Sequence, residues 1–184
     1  MKCFVDLDGV LVDFMGGICQ AFGVTMDELN SKWKVGDWNC WAALGCDSED
    51  AFWQRIDSVP TFWDNLGWMH DGKDILNACI QDYGEKNVCI LSSPPRNPLA
   101  TAAKVAWVQR ELPQFRRRMF IGNEKFQLAH RGAVLVDDSD KNCDEFRRAG
   151  GHVVLVPRRW NSLHLNAGFA ARYVAVTLPH VSLE

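Results

Sequence analysis

The sequence contains no apolar run near the roughly 20 residues that a membrane-spanning helix requires. It carries no secretory signal pattern either, because Met1-Lys2-Cys3-Phe4-Val5-Asp6 reaches an acidic residue too early. A cytosolic protein is therefore expected. There is no excess of positive charge: the formal net charge is -3 over 184 residues. That gives no electrostatic case for stable nucleic-acid binding and suits a small anionic ligand only where cations are gathered locally. No Cys-x-x-Cys pair occurs among the seven cysteines, and no His stands near Cys40 and Cys46 at zinc-ligand spacing. Reduced, mostly buried thiols are expected rather than a disulfide framework. Internal repeats and low-complexity linkers are lacking too.

What is present is an ordinary globular composition, 47% hydrophobic and 23% charged. Short apolar runs at Cys3–Asp6, Asn87–Leu91, Arg118–Ile121, Ala133–Val136 and His152–Val156 read as buried strands. Helical stretches lie between them. Asp71–Tyr83 stops at Gly84, Pro98–Leu112 opens on a first-turn proline, and Ser139–Ala149 opens on a capping Ser. Such alternation predicts an α/β fold, a Rossmann-like and mostly parallel sheet with helices on both faces. Residues 16–69 break the rhythm. They hold six of the eight tryptophans and no convincing strand, with helices expected at Thr25–Lys32 and Ser48–Ile56. The expected organisation is a core of residues 1–15 and 70–184 with a small helical, Trp-rich cap at 16–69. Arg172–Leu178 reads as an extended edge element.

The chemistry gathers at predicted strand ends. Asp6 and Asp8 are two apart in an extended segment, so both carboxylates face one spot before Gly9 opens a turn. Asp137-Asp138, Ser92-Ser93-Pro94 and Lys125 each follow another strand and so reach the same carboxyl edge, where open α/β sheets bind ligands. Carboxylates suit magnesium and can act as nucleophile or acid–base in phosphoryl transfer; hydroxyls and ammonium groups stabilise the phosphoryl charge. Singly, each piece is ordinary. Asp-x-Asp-Gly also resembles a calcium loop, but Met15 stands where that loop needs its Glu. The basic runs Arg116-Arg117-Arg118 and Arg158-Arg159 read as solvated surface charge, and the five histidines show no catalytic spacing.

In this order the motifs resemble those of haloacid dehalogenase-like phosphatases, across about residues 2–156. Asp-x-Asp-Gly-Val-Leu-x-Asp-Phe at 6–14, Ser92-Ser93-Pro94 and Lys104-x-x-Trp107-Val108 are most similar to the 5'(3')-deoxyribonucleotidases, as is a cap inserted after the first motif. The resemblance implies a phosphomonoesterase with an aspartyl-phosphate on Asp6 and Asp8 as general acid and base. It implies magnesium held by Asp6, the Asp8 carbonyl and Asp138, with Asp137 behind or through water. It further implies phosphate held by Ser92, Ser93, Lys104 and Lys125, and a base pocket lined by Phe62, Trp63 and Trp38. That family commonly has Thr where Ser92 stands; the hydroxyl is kept. The expected partner is a small phosphomonoester, a nucleotide first, and a homodimer is an assembly the sequence leaves open. The competing readings are a sugar phosphatase of the same superfamily, a 3'-phosphatase on nucleic-acid ends, and a non-enzymatic metal- or nucleotide-binding protein.

Overall fold

The computed structural model describes residues 1–181. Five strands form one all-parallel sheet: β1 (Lys2–Val5), β2 (Val88–Ser92), β3 (Met119–Ile121), β4 (Ala133–Asp137) and β5 (His152–Leu155). Their spatial order is β3-β2-β1-β4-β5, with Val5 opposite both Ile90 and Val136. Strands β2 and β4 are buried along their whole length, as expected where helices cover both faces.

The period-two alternation of the strands divides the core in two. Cys3, Val5, Val88, Ile90, Val134 and Val136 turn to one face, and Phe4, Cys89, Leu91, Ala133 and Leu135 to the other. Helices α4 (Gly72–Tyr83), α5 (Pro98–Glu111) and α7 (Ala170–Val181) supply Ile75, Cys79, Trp107, Val108, Val174 and Leu178 to the first face. Helix α6 (Asp140–Arg148) covers the second with Phe146. All seven cysteines are free, six of them buried.

Three helices lie between β1 and α4: α1 (Phe14–Phe22), α2 (Met26–Lys32) and α3 (Glu49–Asp57). Thr25 and Glu28 close a reciprocal capping box on α2, and Ser48 caps α3. Helix α1 forms although Gly16-Gly17 lowers helix propensity. Asp13 caps it by accepting from Gly16 N at 2.8 Å. Gly17 is there for space, since a Cβ would lie 2.2 Å from Leu66 Cδ2. The segment leaves and returns as a pair of adjacent stems: Met69 N donates to Leu11 O (2.8 Å) and Asp13 N to Gly67 O (3.0 Å).

Two sequence expectations need correction. Arg172–Leu178 is no extended edge but part of α7, where Ala170, Val174 and Leu178 recur every fourth residue and are buried, with the helix packed on α4. Arg158-Arg159 is not solvated charge. Arg158 is 2% exposed and grips Asp71 with two hydrogen bonds of 2.8 Å, while its Nε donates to Gly9 O at 2.5 Å. Arg159 Nη2 donates to the Asn30 and Trp33 carbonyls at the end of α2 (2.8 and 3.0 Å). In the other run, Arg116 and Arg117 are exposed, whereas Arg118 binds the Gln114 carbonyl at 2.9 Å.

Removing one partner of a buried ion pair strands the other charge. Arg158→Ala is therefore expected to lower stability by roughly 3–5 kcal/mol. A urea titration followed by circular dichroism measures it; a shift below about 1 kcal/mol, the range of solvated pairs, would contradict the buried role.

Candidate active site

Parallel register brings the carboxyl ends of β1, β2 and β4 level, and the polar residues that follow them converge. Asp6 N donates to Val136 O at 3.0 Å, which sets Asp6 beside Asp137 and Asp138. Oxygens of these three buried carboxylates all lie within 4.8 Å of one another. Lys125, in a short 3-10 turn at Lys125–Leu128, reaches between them: its Nζ is 2.8 Å from Asp6 Oδ1 and 2.7 Å from Asp137 Oδ2. The contact with Asp6 is an ion pair without hydrogen-bond alignment, so Asp6 Oδ1 remains a buried acceptor with no aligned donor.

Asp137 is fully engaged. Besides Lys125, it accepts from Ser139 N (2.8 Å) and from Asn142 Nδ2 (3.2 and 3.1 Å to its two oxygens). Asp138 Oδ2 accepts from Trp160 Nε1 at 2.6 Å, and Asn161 Nδ2 donates to the Asp138 carbonyl at 2.8 Å. Lys104, buried on α5, donates to Asp8 Oδ2, to Ser92 Oγ (3.1 Å) and to Ser93 O (2.8 Å). Four carboxylates thus face two ammonium groups at one sheet edge.

That excess of negative charge appears in the acidities. Burial, reinforced by Asp137 and Asp8 and opposed by Lys125, pushes the Asp6 carboxyl up to about 7. Burial, with Asp137 and Asp6, holds Asp138 well above the carboxylate range despite the Trp160 N–H and Arg158. Burial works against the Lys125 ammonium, but Asp137 and Asp6 outweigh it and hold its pKa above that of an ordinary lysine. Hard oxygen donors short of positive charge, one of them with no aligned hydrogen-bond donor, are a donor set that fits a divalent cation such as magnesium.

A cavity of about 500 Å³ opens above these groups, lined by Asp6, Asp8, Ser93, Asp138, Trp38 and Trp160 among others. Trp38 is 47% exposed and meets Trp160 edge to face at 5.9 Å. Trp63 lies elsewhere: it stacks on Phe14 and borders a small gap beside Asp8 and Lys104, with the Lys104 ammonium 5.4 Å from its ring centre. Phe62 is buried core, edge-on to Phe14 and Trp63, and is not part of the cavity wall. Sequence reasoning missed Trp160, Asn161, Arg158 and Asn142. Trp160 and Asn161 follow β5, the neighbour of β4, so the strand-end criterion applied to Asp137 would have found them.

Gly9 has φ 74°, and a Cβ there would sit 2.2 Å from Asp138 Oδ2 and 3.0 Å from Trp160 Cζ2. The turn after Asp8 needs both the left-handed backbone and the empty space. Gly9→Ala is expected to displace Asp138 and to lower kcat/KM on the order of 100-fold, as a misplacement near 1 Å does. Steady-state kinetics check this; wild-type kcat/KM would refute it.

A parallel sheet in this order, with acidic residues after β1 and β4, has the fold of the haloacid dehalogenase-like hydrolases. Solved structures agree on the fold. A hydrolase of that family from Deinococcus radiodurans R1, described with bound phosphate and sodium, superposes with a TM-score of 0.60 at 15% identity, covering 99% of this chain and 96% of its own. A haloacid dehalogenase-like protein from Streptococcus pneumoniae gives 0.58 at 16% identity, covering 96% and 97%. One from Xanthomonas campestris gives 0.56 at 12%, covering 98% of each. A comparison with curated proteins returned no match.

The family described as 5' nucleotidase, deoxy (pyrimidine), cytosolic type C protein matches residues 1–169, and the chain belongs to it. It is a phosphatase of the nucleotidase type. Among the described residues no helix is long and apolar enough to cross a membrane.

Proposed function

We propose that the chain is a magnesium-dependent 5'(3')-deoxyribonucleotidase that works through an aspartyl-phosphate on Asp6. The observation that carries this reading is that Asp6, Asp8 and Asp138 line one cavity while the buried ammonium groups of Lys104 and Lys125 pair with Asp8 and Asp6. The nucleotide part rests on the family match and on Trp38 and Trp160 in the cavity wall. Residues 16–69 are read as a cap and 1–15 with 70–184 as the core, a division supported by the paired stems. The cytosolic type in the family's description supports a cytoplasmic location.

In this scheme the Asp6 carboxylate attacks phosphorus as the bond to the leaving oxygen breaks, and Asp8 gives that oxygen its proton. Lys104 joins Asp8, Ser92 and Ser93. The same ammonium is placed to receive an oxygen of the arriving phosphate dianion. In the second half, water attacks the phosphoryl group on Asp6, Asp8 takes the proton, and inorganic phosphate leaves with the Asp6 carboxylate restored. Magnesium, when bound by Asp6 and Asp138 with the Asp8 carbonyl, supplies positive charge that keeps Asp6 ionised and stabilises the transferring phosphoryl oxygens. Asp137 holds Lys125 in place between the carboxylates, and Ser92, Ser93 and Lys125 hold phosphate.

The test is phosphate release from a panel of 5'- and 3'-deoxynucleoside and ribonucleoside monophosphates and sugar phosphates, with magnesium and with chelator. Magnesium-dependent turnover favouring deoxynucleotides is expected. Turnover confined to sugar phosphates would defeat the nucleotidase reading and leave the phosphatase standing.

A further inference from the structure

Four consecutive residues after β5 each hold a different part of the site. Arg158 Nε takes the Gly9 carbonyl, in the turn that follows Asp8. Arg159 holds the end of α2 through the Asn30 and Trp33 carbonyls, and its own carbonyl accepts from Gly36 N at 2.9 Å. Trp160 donates to Asp138 Oδ2 at 2.6 Å. Asn161 bridges the Asp138 and Val156 carbonyls, both at 2.8 Å. Trp160 is the member that joins two regions through one side chain. Its indole is buried and stacks on Trp33 of the 16–69 segment, centroids 5.8 Å apart and 16° from parallel. Its edge meets Trp38.

We propose that Trp160 is a positioning residue, whose indole N–H sets the orientation of Asp138 for a divalent cation and whose stack on Trp33 makes that orientation depend on the seating of the helical segment. The argument is geometric. Asp138 Oδ2 sits where a Gly9 Cβ would collide with it, against the Trp160 ring edge, so the N–H and the turn together fix that oxygen. The carboxylate so held belongs to a residue that lines the cavity. An indole held between a cap-side ring and a carboxylate cannot move with one and ignore the other. Partners that orient a metal-binding carboxylate change metal affinity without themselves touching the metal.

This inference rests on the reading of Asp138 as a metal ligand, and the experiment separates the two. Magnesium binding is measured by titration calorimetry without substrate, on the full chain, for wild type, Asp138→Asn, Trp160→Phe and Trp33→Ala. Trp160→Phe keeps a ring to stack but loses the donor and part of the indole. It is expected to weaken magnesium binding roughly 10- to 100-fold. In phosphate-release assays the same variant should need a correspondingly higher magnesium concentration for half-maximal rate, a shift that mere loss of packing would not give. Trp33→Ala, which touches no carboxylate, is expected to weaken magnesium binding several-fold through the lost stack.

If wild type bound no magnesium, or Asp138→Asn bound it equally well, the ligand reading itself would fail. If wild type bound and Asp138→Asn did not, yet Trp160→Phe matched wild type, the positioning role would be overturned and the ligand reading kept. Should Trp160→Phe fail to fold, Trp33→Ala decides: unchanged affinity sinks the coupling to the helical segment.

Discussion

Asp6→Asn is expected to abolish phosphate release, by on the order of 10⁴-fold or more, the scale seen when a covalent nucleophile is removed. The same substitution is expected to leave the fold intact and to raise the metal-free Tm. The reason is the position of Asp6: buried, beside Asp137 and Asp138, with an oxygen that no donor satisfies in good alignment. An amide carries no charge to desolvate there, and it removes one member of a repelling group. The loss of activity and the gain in stability would come from one cause, a carboxylate kept in an unfavourable place because the reaction uses it. Phosphate release and a thermal melt on the same preparation measure both; undiminished turnover would rule out Asp6 as the nucleophile.

The second large effect is a dependence of stability on pH that magnesium reverses. The ordinary Asp value is 3.8, and burial pushes Asp6 up to about 7 in the folded chain. Between those values the unfolded chain has released the proton and the folded chain still holds it. The folded state therefore binds more protons, and stability falls as pH rises from about 4 to about 7, then levels off. Asp138, also raised, acts in the same direction. A divalent cation neutralises these carboxylates, so magnesium should stabilise strongly at pH 8 and little at pH 5. The expected difference in Tm gain is about 5 °C or more. Thermal melts at the two pH values, with magnesium and with chelator, check the sign. Equal gains at both would show that these carboxylates are not where the ion acts.

Much of the arrangement could be read from the chain because short apolar runs announce buried strands and parallel register levels their ends. Asp6, Ser92 and Asp137 meet for that reason, each at the close of its run. Lys104 was legible only through family resemblance, since a lysine on a helix looks like surface until its burial is known. Arg158 was read as solvated for the same lack: its partner Asp71 lies 87 residues away, and no local pattern links them. The helix α7 was mistaken for an extended piece because its β-branched residues favour strands locally, while packing on α4 decides otherwise. Phe62 and Trp63 are adjacent in sequence and sit among many aromatics, and composition alone does not tell a core ring from a cavity wall.

The joined stems at Leu11–Asp13 and Gly67–Met69 have an evolutionary consequence. Because exit and return lie side by side, the sheet holds the segment at a two-ended socket, and Trp33 with the end of α2 is its further touch on the carboxylate edge. Lengthening, shortening or exchanging what is plugged in leaves the spacing of β1 and α4 undisturbed. Changes of length beyond residue 13 can then be absorbed without moving the strand ends, provided that the ring stacked on Trp160 is kept.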